Sequence, residues 1–221
     1  VSVKSGSANV KVAVSTFNAK GGFVISEIFF AGTKTPEGKQ YSDDQYIIIS
    51  NNSDVPLYAD SIAVLESTFL TVTKYDYDPD IMNEAMTADA IYMIPGTGKD
   101  VAVEPGKALV LAINAKNHTE ANPSSTDLSK ADFEFYDESA NTRFQDDDNP
   151  NVPNLDKWFC YTNTYFSFHN RGFKSFAIAR MHGDKEKYLE ENTYAANYVM
   201  EVAGNAYPMT NKNCVKVANS W

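Results

Sequence analysis

The dominant period along the chain is two. In "GFVISEIFF", Phe23, Ile25 and Glu27 share one face of an extended segment, and Val24, Ser26, Ile28 and Phe30 share the other. "QYIIISNNSD" is a β-branched run closed by Asn51-Asn52-Ser53-Asp54, whose side chains let a chain reverse. Alternation resumes in "VPLYADSIAVLES", with Leu57, Ile62 and Val64 inward and Leu65 as a further candidate; "FLTVTKYDY" adds another strand. "IYMIPGTGKDVAVEPGKALVLAINA" sets two Pro-Gly turns among three apolar stretches, and "GKALVLAI" is dense enough for a central strand. At least two strands follow in "WFCYTNTYFSFHNRGFKSFAIARM", folded around His169–Gly172, and one more in "YVMEVAG".

Helical signals are sparse. Asp80–Ile91 reads as a short helix or an irregular loop, Ser124–Asp132 as an N-cap with one or two turns, and "EKYLEENTYAANY" as another turn or two. Many short strands separated by turn signals predict an all-β fold, an antiparallel immunoglobulin-like β-sandwich. Its expected core is Ile25, Ile28, Ile47, Ile49, Leu57, Ile62, Val64, Leu109, Leu111, Phe168, Phe176 and Ile178. Two long irregular insertions interrupt it, Tyr75–Ala90 and Asn114–Asp156, and segments of that length are functional surfaces or compact loops. Residues 1–20, where valines alternate with Ser, Lys and Ala, read as the end of a preceding β-domain or a linker. Residues 21–221 read as one sandwich domain, with Cys214, Val215 and Val217 in an unfinished final strand and the C-terminus truncated.

Composition narrows the function classes. The chain has 221 residues, 43% of them apolar, with 13 Tyr, 13 Phe and 2 Trp, enough for a sizeable core. A net charge of −10 and only three arginines, none in a basic cluster, argue against nucleic acid and anionic membrane surfaces as partners. No run of 18 apolar residues is present to span a bilayer. Cys160 and Cys214 lack CxxC spacing, which leaves a disulfide or two buried thiols.

The stretches "GFVISEIFFAGT", "DQYIIISNNSDVPLYADSIAVLES", "AVEPGKALVLA" and "YFSFHNRGFKSFAIARM" occur in the order found in lamin-tail domains, which the chain resembles. Asn51 and Asn52 suit a tight reversal, Pro105-Gly106 the next turn, and Gly172 a positive φ between strands. "FAGTKTPEGKQYSDDQY", "NPSSTDLSKADFEFYDES" and "DDDNPNVPNLDKW" are similar to a family of uncharacterised Bacteroidetes lipoproteins, recorded as a domain of unknown function. That resemblance spans residues 22–221. It implies a surface or periplasmic lipoprotein held in the outer membrane by a lipid anchor outside this chain. It also implies a small β-domain ahead of this one and a gene beside TonB-dependent receptors. It implies no known activity and no catalytic residue.

Candidate chemistry is confined to a few clusters. "FQDDDNPNVPNLD" gathers Asp146, Asp147, Asp148 and Asn149, and hard cations such as calcium want six to eight oxygens. The EF-hand glycine and terminal glutamate are absent, so the expectation is a weak calcium site through Asp146 and Asp148, or a solvated acidic loop. In "KYDYDPDIM", Asp76, Asp78 and Asp80 share one face and Tyr75 and Tyr77 the other; this suits a cation, a glycan beside a stacking ring, or an exposed strand end. His118, His169 and His182 lack zinc-site spacing. "PGTGKD" lacks the spacing and the Ser/Thr of a phosphate loop, and Glu134 with Asp137 would serve glycoside hydrolysis only about a cleft.

The expected function is a non-enzymatic extracellular binding or assembly module, accessory to a TonB-dependent outer-membrane uptake system. The alternative is a glycan- or calcium-binding adhesin-like domain, without other cofactors. A partner, an outer-membrane receptor or another surface protein, is expected to meet Tyr75, Tyr77, Phe133, Phe135, Tyr136 and Phe144, aromatics in an acidic surround. The competing reading folds these rings back over the sandwich ends.

Overall fold

The two-residue period builds two packed sheets in the structure, a computed structural model that describes residues 21–218; the reading of residues 1–20 lies outside the described residues. In chain order the strands are β1 (Phe23–Phe29), β2 (Thr33–Lys34), β3 (Gln40–Tyr41), β4 (Tyr46–Asn51), β5 (Leu57–Tyr58), β6 (Ile62–Leu70) and β7 (Ala85–Met93). There follow β8 (Ala102–Val103), β9 (Ala108–Ala112), β10 (Phe133–Glu134), β11 (Asp156–Cys160), β12 (Lys174–Arg180), β13 (Thr193–Val202) and β14 (Asn205–Ala218). Helix α1 (Lys185–Asn192) stands between β12 and β13. The two main sheets have the orders β1-β4-β9-β10 and β12-β6-β7-β14-β13, with β11 on β7, and β2-β3 and β5-β8 form separate two-stranded ladders. β11 and β14 lie end to end along β7, pairing its residues 90–93 and 85–88 respectively. Pairing is antiparallel apart from β10, which runs parallel to β9.

The core lies between the sheets. Ile47 and Ile49 of β4 and Leu109 and Leu111 of β9 meet Ile62 and Val64 of β6, Tyr92 of β7 and Phe168. Burying each such side chain contributes about 1.5–3 kcal/mol. Ile25, Ile28, Phe176 and Ile178 close the margins, partly buried against the same cluster. Leu57 is only half-buried and outside it, because β5 is a two-residue ladder with β8. Leu65 takes the opposite face of its sheet with Ile91, Val215 and Trp158, where Tyr188 and Leu189 of α1 cover them. Asp184 caps that helix by accepting the Lys187 N–H at 2.9 Å.

The turns follow the chemistry of their residues. The Asn51 amide donates to the carbonyls of Val55 and Val103, and its oxygen accepts the Ser53 N–H, all within 2.9 Å. Gly172 has φ +65°, and a Cβ there would lie 2.8 Å from the Phe30 ring.

Two local readings are corrected. Asp80–Ile91 is neither helix nor loop through most of its length: Ala85–Met93 is the central strand β7, buried on both faces, so it shows no period to read. Ser124–Asp132 holds turns instead of helix; the helical residues nearby are His118–Glu120, a single 3-10 turn. The insertion 114–156 is a cover for the smaller sheet, with Ala115, Leu128, Ala131 and Val152 packed on its outer face around Ala112.

Candidate functional site

The six aromatics expected at a partner surface separate on folding. Phe133 and Phe135 are 6% and 0% exposed and belong to the core, where Phe135 packs edge-on against Tyr92 at 5.2 Å. Glu134 between them is 1% exposed as well, so neither phase of this alternation faces solvent. Side chains so buried offer a partner nothing, and Tyr75, 8% exposed, offers little more. Tyr77 and Tyr136 are half-buried, and Phe144 remains 53% exposed.

Tyr75 instead lines a cleft, and Tyr77 packs edge-on against the Tyr75 ring. Asp78 and Asn197 form an isolated antiparallel bridge that brings the segment 71–84 against β13. Tyr198 then stacks on Tyr75 at 5.5 Å and tilts over Tyr77 at 4.8 Å. The resulting cleft, about 560 Å³, is lined by Tyr75, Tyr198, Val199, Pro208 and Met209, with Asp76, Asp78 and Glu201 among its polar groups. Burial, and then the neighbouring tyrosines, raises the Tyr77 phenol, whose buried hydroxyl has no hydrogen-bond partner among the described residues. Above the cleft β13 and β14 run on as a two-stranded ribbon, reversed at Ala203-Gly204 with positive φ at both residues. Its residues 199, 202 and 207, Val, Val and Tyr, are each nearly half-exposed.

The acidic loop spends its carboxylates separately. Asp146 accepts the backbone N–H groups of Asp137 and Asp147, Asp147 pairs with Lys116, and Asp148 accepts the Asn154 amide. Burial, with Asp137 and Glu134 nearby, pushes the Asp146 carboxyl up to about 7. Asp147 and Asp148 border a second cleft of about 630 Å³ with Lys116, Glu120, Asp127 and Glu134. Among the described residues, no three His, Cys, Asp or Glu side chains converge to hold a metal ion.

The remaining candidates are engaged in the fold. Glu134, 1% exposed, accepts the backbone N–H groups of Ala115 and Asn149, which stitches the 114–156 insertion to β10. Asp137 accepts the Tyr92 hydroxyl and pairs with Lys157. His118 is fully buried between Tyr41 and the Asn114 carbonyl, His169 stacks on Phe173, and His182 is exposed. Both cysteines are free. The "PGTGKD" loop does wrap an anion, but it is the protein's own: Gly98, Asp100 and Val101 N–H groups close on the buried Asp60 carboxylate. Burial alone would raise that carboxyl, and the backbone donors outweigh it and hold it below the usual range. Sequence reading passed over Tyr198 and Glu66; an isolated tyrosine and a lone acid in an apolar strand carry no motif.

A crystal structure of a DUF4876 family protein from Bacteroides thetaiotaomicron VPI-5482, at 2.50 Å resolution, is similar with a TM-score of 0.59. The match has 20% identity, so the likeness is one of fold; it covers 89% of this chain and 50% of that one. The chain thus spans half the length of this solved relative. No curated protein matches. The family model described as "Protein of unknown function (DUF4876)" matches residues 104–221, more than half of the sequence, from the turn before β9 through the ribbon. The chain belongs to the DUF4876 family.

Proposed function

We propose that this domain is a non-enzymatic binding module of the cell surface, serving a TonB-dependent outer-membrane uptake system. In this reading it is an immunoglobulin-like sandwich of the lamin-tail kind, on a protein held in the outer membrane by a lipid anchor outside this chain. The observation that supports the reading is the β13–β14 ribbon. Among the described residues, the two strands pair only with each other beyond residue 197, so both outer edges are open from there to the tip. A lone ribbon gains little stability by itself, and open edges are templates for a further strand. Pro208 removes one N–H from the β14 edge, which leaves β13 as the better template. An extended segment of the receptor would pair along β13, with Val199, Val202 and Tyr207 as its apolar anchors.

The test is affinity capture from outer membranes, with the receptor identified by mass spectrometry. Val199→Ser, Val202→Ser and Tyr207→Ser together should abolish receptor capture and leave the thermal midpoint within about 2 °C, since these side chains are outside the core. Undiminished capture by the triple variant overturns the ribbon as the docking element.

A further inference from the structure

Glu66 continues the inward row of Ile62 and Val64 on β6, yet its side chain is acidic and 3% exposed. Its carboxyl faces the backbone N–H of His169, while Oε2 has no hydrogen-bond partner among the described residues. A buried polar atom left unpaired is costly, and the residue that carries it borders an opening, so a ligand entering there would meet the Glu66 carboxyl. The opening is a cleft of about 290 Å³ bordered by Ser42, Glu66, Tyr161, Ser167, His169 and Asn170. Its size is near the lower end for ligand sites, which suits a single small ring or chain.

The charges around Glu66 select the ligand. Lys174, on β12, also borders the cleft, but its ammonium donates to the Ser67 and Thr68 carbonyls and to Asp89 Oδ2 at 2.8 Å. All three of its protons are taken, and Asp89 on β7, 4% exposed, balances its charge. Burial, and then Asp89, raises the Glu66 carboxyl to about 8, so near neutral pH it is mostly an acid with an O–H to donate. Burial also lowers His169, and the Arg171 N–H donates to its Nδ1 at 3.3 Å, both of which favour the neutral imidazole. The walls are therefore hydroxyls, an amide, an imidazole and a carboxylic acid. The Tyr161 ring, 49% exposed, adds an apolar face, with the Lys212 ammonium 4.8 Å from its centre.

We propose that this cleft binds a neutral, hydroxyl-rich ligand, a single sugar unit or a small polyol, which pairs with the Glu66 carboxyl. The site does not rest on the role given to the ribbon.

The test titrates the chain with D-glucose, D-galactose, N-acetylglucosamine and glycerol, with methylammonium and sulfate as charged comparisons. Amide NMR shifts of Ser67, His169 and Asn170 report binding. At least one neutral compound should bind with a Kd of about 1 mM, in the range of a small ligand with few contacts. Glu66→Gln, which keeps a neutral donor and acceptor, should bind within about threefold of wild type, and Glu66→Leu should weaken binding about tenfold or more. Wild-type affinity should fall as pH rises through about 8, and Glu66→Gln should not show that fall. Binding by no neutral compound, or equal binding by Glu66→Leu, overturns the proposal and leaves the carboxyl to water. Methylammonium binding that Glu66→Gln abolishes overturns it in favour of a cationic ligand. Should Glu66→Leu fail to fold, identical pH profiles for wild type and Glu66→Gln overturn it as well.

Discussion

Asp78 and Asn197 exchange both backbone hydrogen bonds, N–H to carbonyl at 2.9 Å in one direction and 2.8 Å in the other. Between them they fix how the segment 71–84 meets the ribbon, and the ring of Tyr198, the next residue, locks the contact over Tyr75 and Tyr77. The Asn197 side chain also accepts the Asn211 N–H at 2.9 Å, which ties β13 to β14 beside the bridge.

Tyr198→Ala removes that lock and leaves the bridge on backbone bonds alone. Loss of a half-buried ring costs less than a fully buried one, about 2 kcal/mol in chemical denaturation. Hydrogen exchange should localise the effect, with the Asp78 and Asn197 amides losing protection ahead of those in β6. Unchanged protection at Asp78 would mean that the bridge stands without the tyrosines.

The Asp60 carboxylate makes the loop 95–101 sensitive to acid. Its folded pKa is depressed, so its contribution is present above its unfolded pKa of about 3.9 and is lost as pH falls through the folded value. Asp60→Asn should therefore lower stability at neutral pH and lose less than wild type between about pH 4 and pH 2. Gly96→Ala attacks the same loop sterically: a Cβ there would sit 2.0 Å from Asp60 Oδ1, at a φ of +143° that L residues rarely adopt. It should cost about 2 kcal/mol or more by thermal denaturation.

Which features the sequence reveals depends on whether one face of an element stays wet. β4 alternates because its even and odd residues have different surroundings, so the inward phase of Ile47 and Ile49 is readable. β7 is covered on both faces, and "AMTADAIYM" then looks like a helix former with no period. The segment Phe133–Phe135 fails differently. Glu134 is buried too, because Ala115 and Asn149 fold back over it from elsewhere in the insertion, so neither phase of the alternation faces solvent and no pattern marks the rings as core. Tyr198 joins Tyr75 only through the bridge at Asp78, a long-range contact without a sequence signal.

The two backbone donors at Glu134 make it the fastener of the 114–156 cover. Glu134→Gln turns one acceptor into a donor facing a backbone N–H, which should cost about 1–3 kcal/mol. Limited proteolysis should then cut within residues 114–153 faster than wild type, with sites in β4 and β6 still protected. Cleavage at the wild-type rate would show that the apolar contacts of Leu128 and Val152 hold the cover by themselves.

Tyr92 is 1% exposed, its ring packed with Phe135 and Phe166, and its hydroxyl donates to Asp137 Oδ2 at 2.7 Å. Lys157 approaches Asp137 Oδ1 at 2.8 Å from β11, with a third of its side chain still exposed. Burial, and then its neighbours Cys160 and Asp137, raises the Tyr92 phenol, so Tyr92 keeps its proton and acts purely as the donor. Tyr92→Phe keeps the ring packing and removes that donor, for a cost of about 1–2 kcal/mol. Lys157→Met retains most of the apolar stem but leaves Asp137, 1% exposed, without its counter-charge. The cost at neutral pH should be about 2–3 kcal/mol, below that of a fully buried pair because Lys157 is partly solvated. Adding Asp137→Asn removes the buried charge while keeping an acceptor for the Tyr92 hydroxyl, so Lys157→Met/Asp137→Asn should recover stability relative to Lys157→Met alone, measured by urea denaturation. An equal deficit in the two variants would assign the loss to the packing of the lysine stem and remove the charge pair from the account of this core.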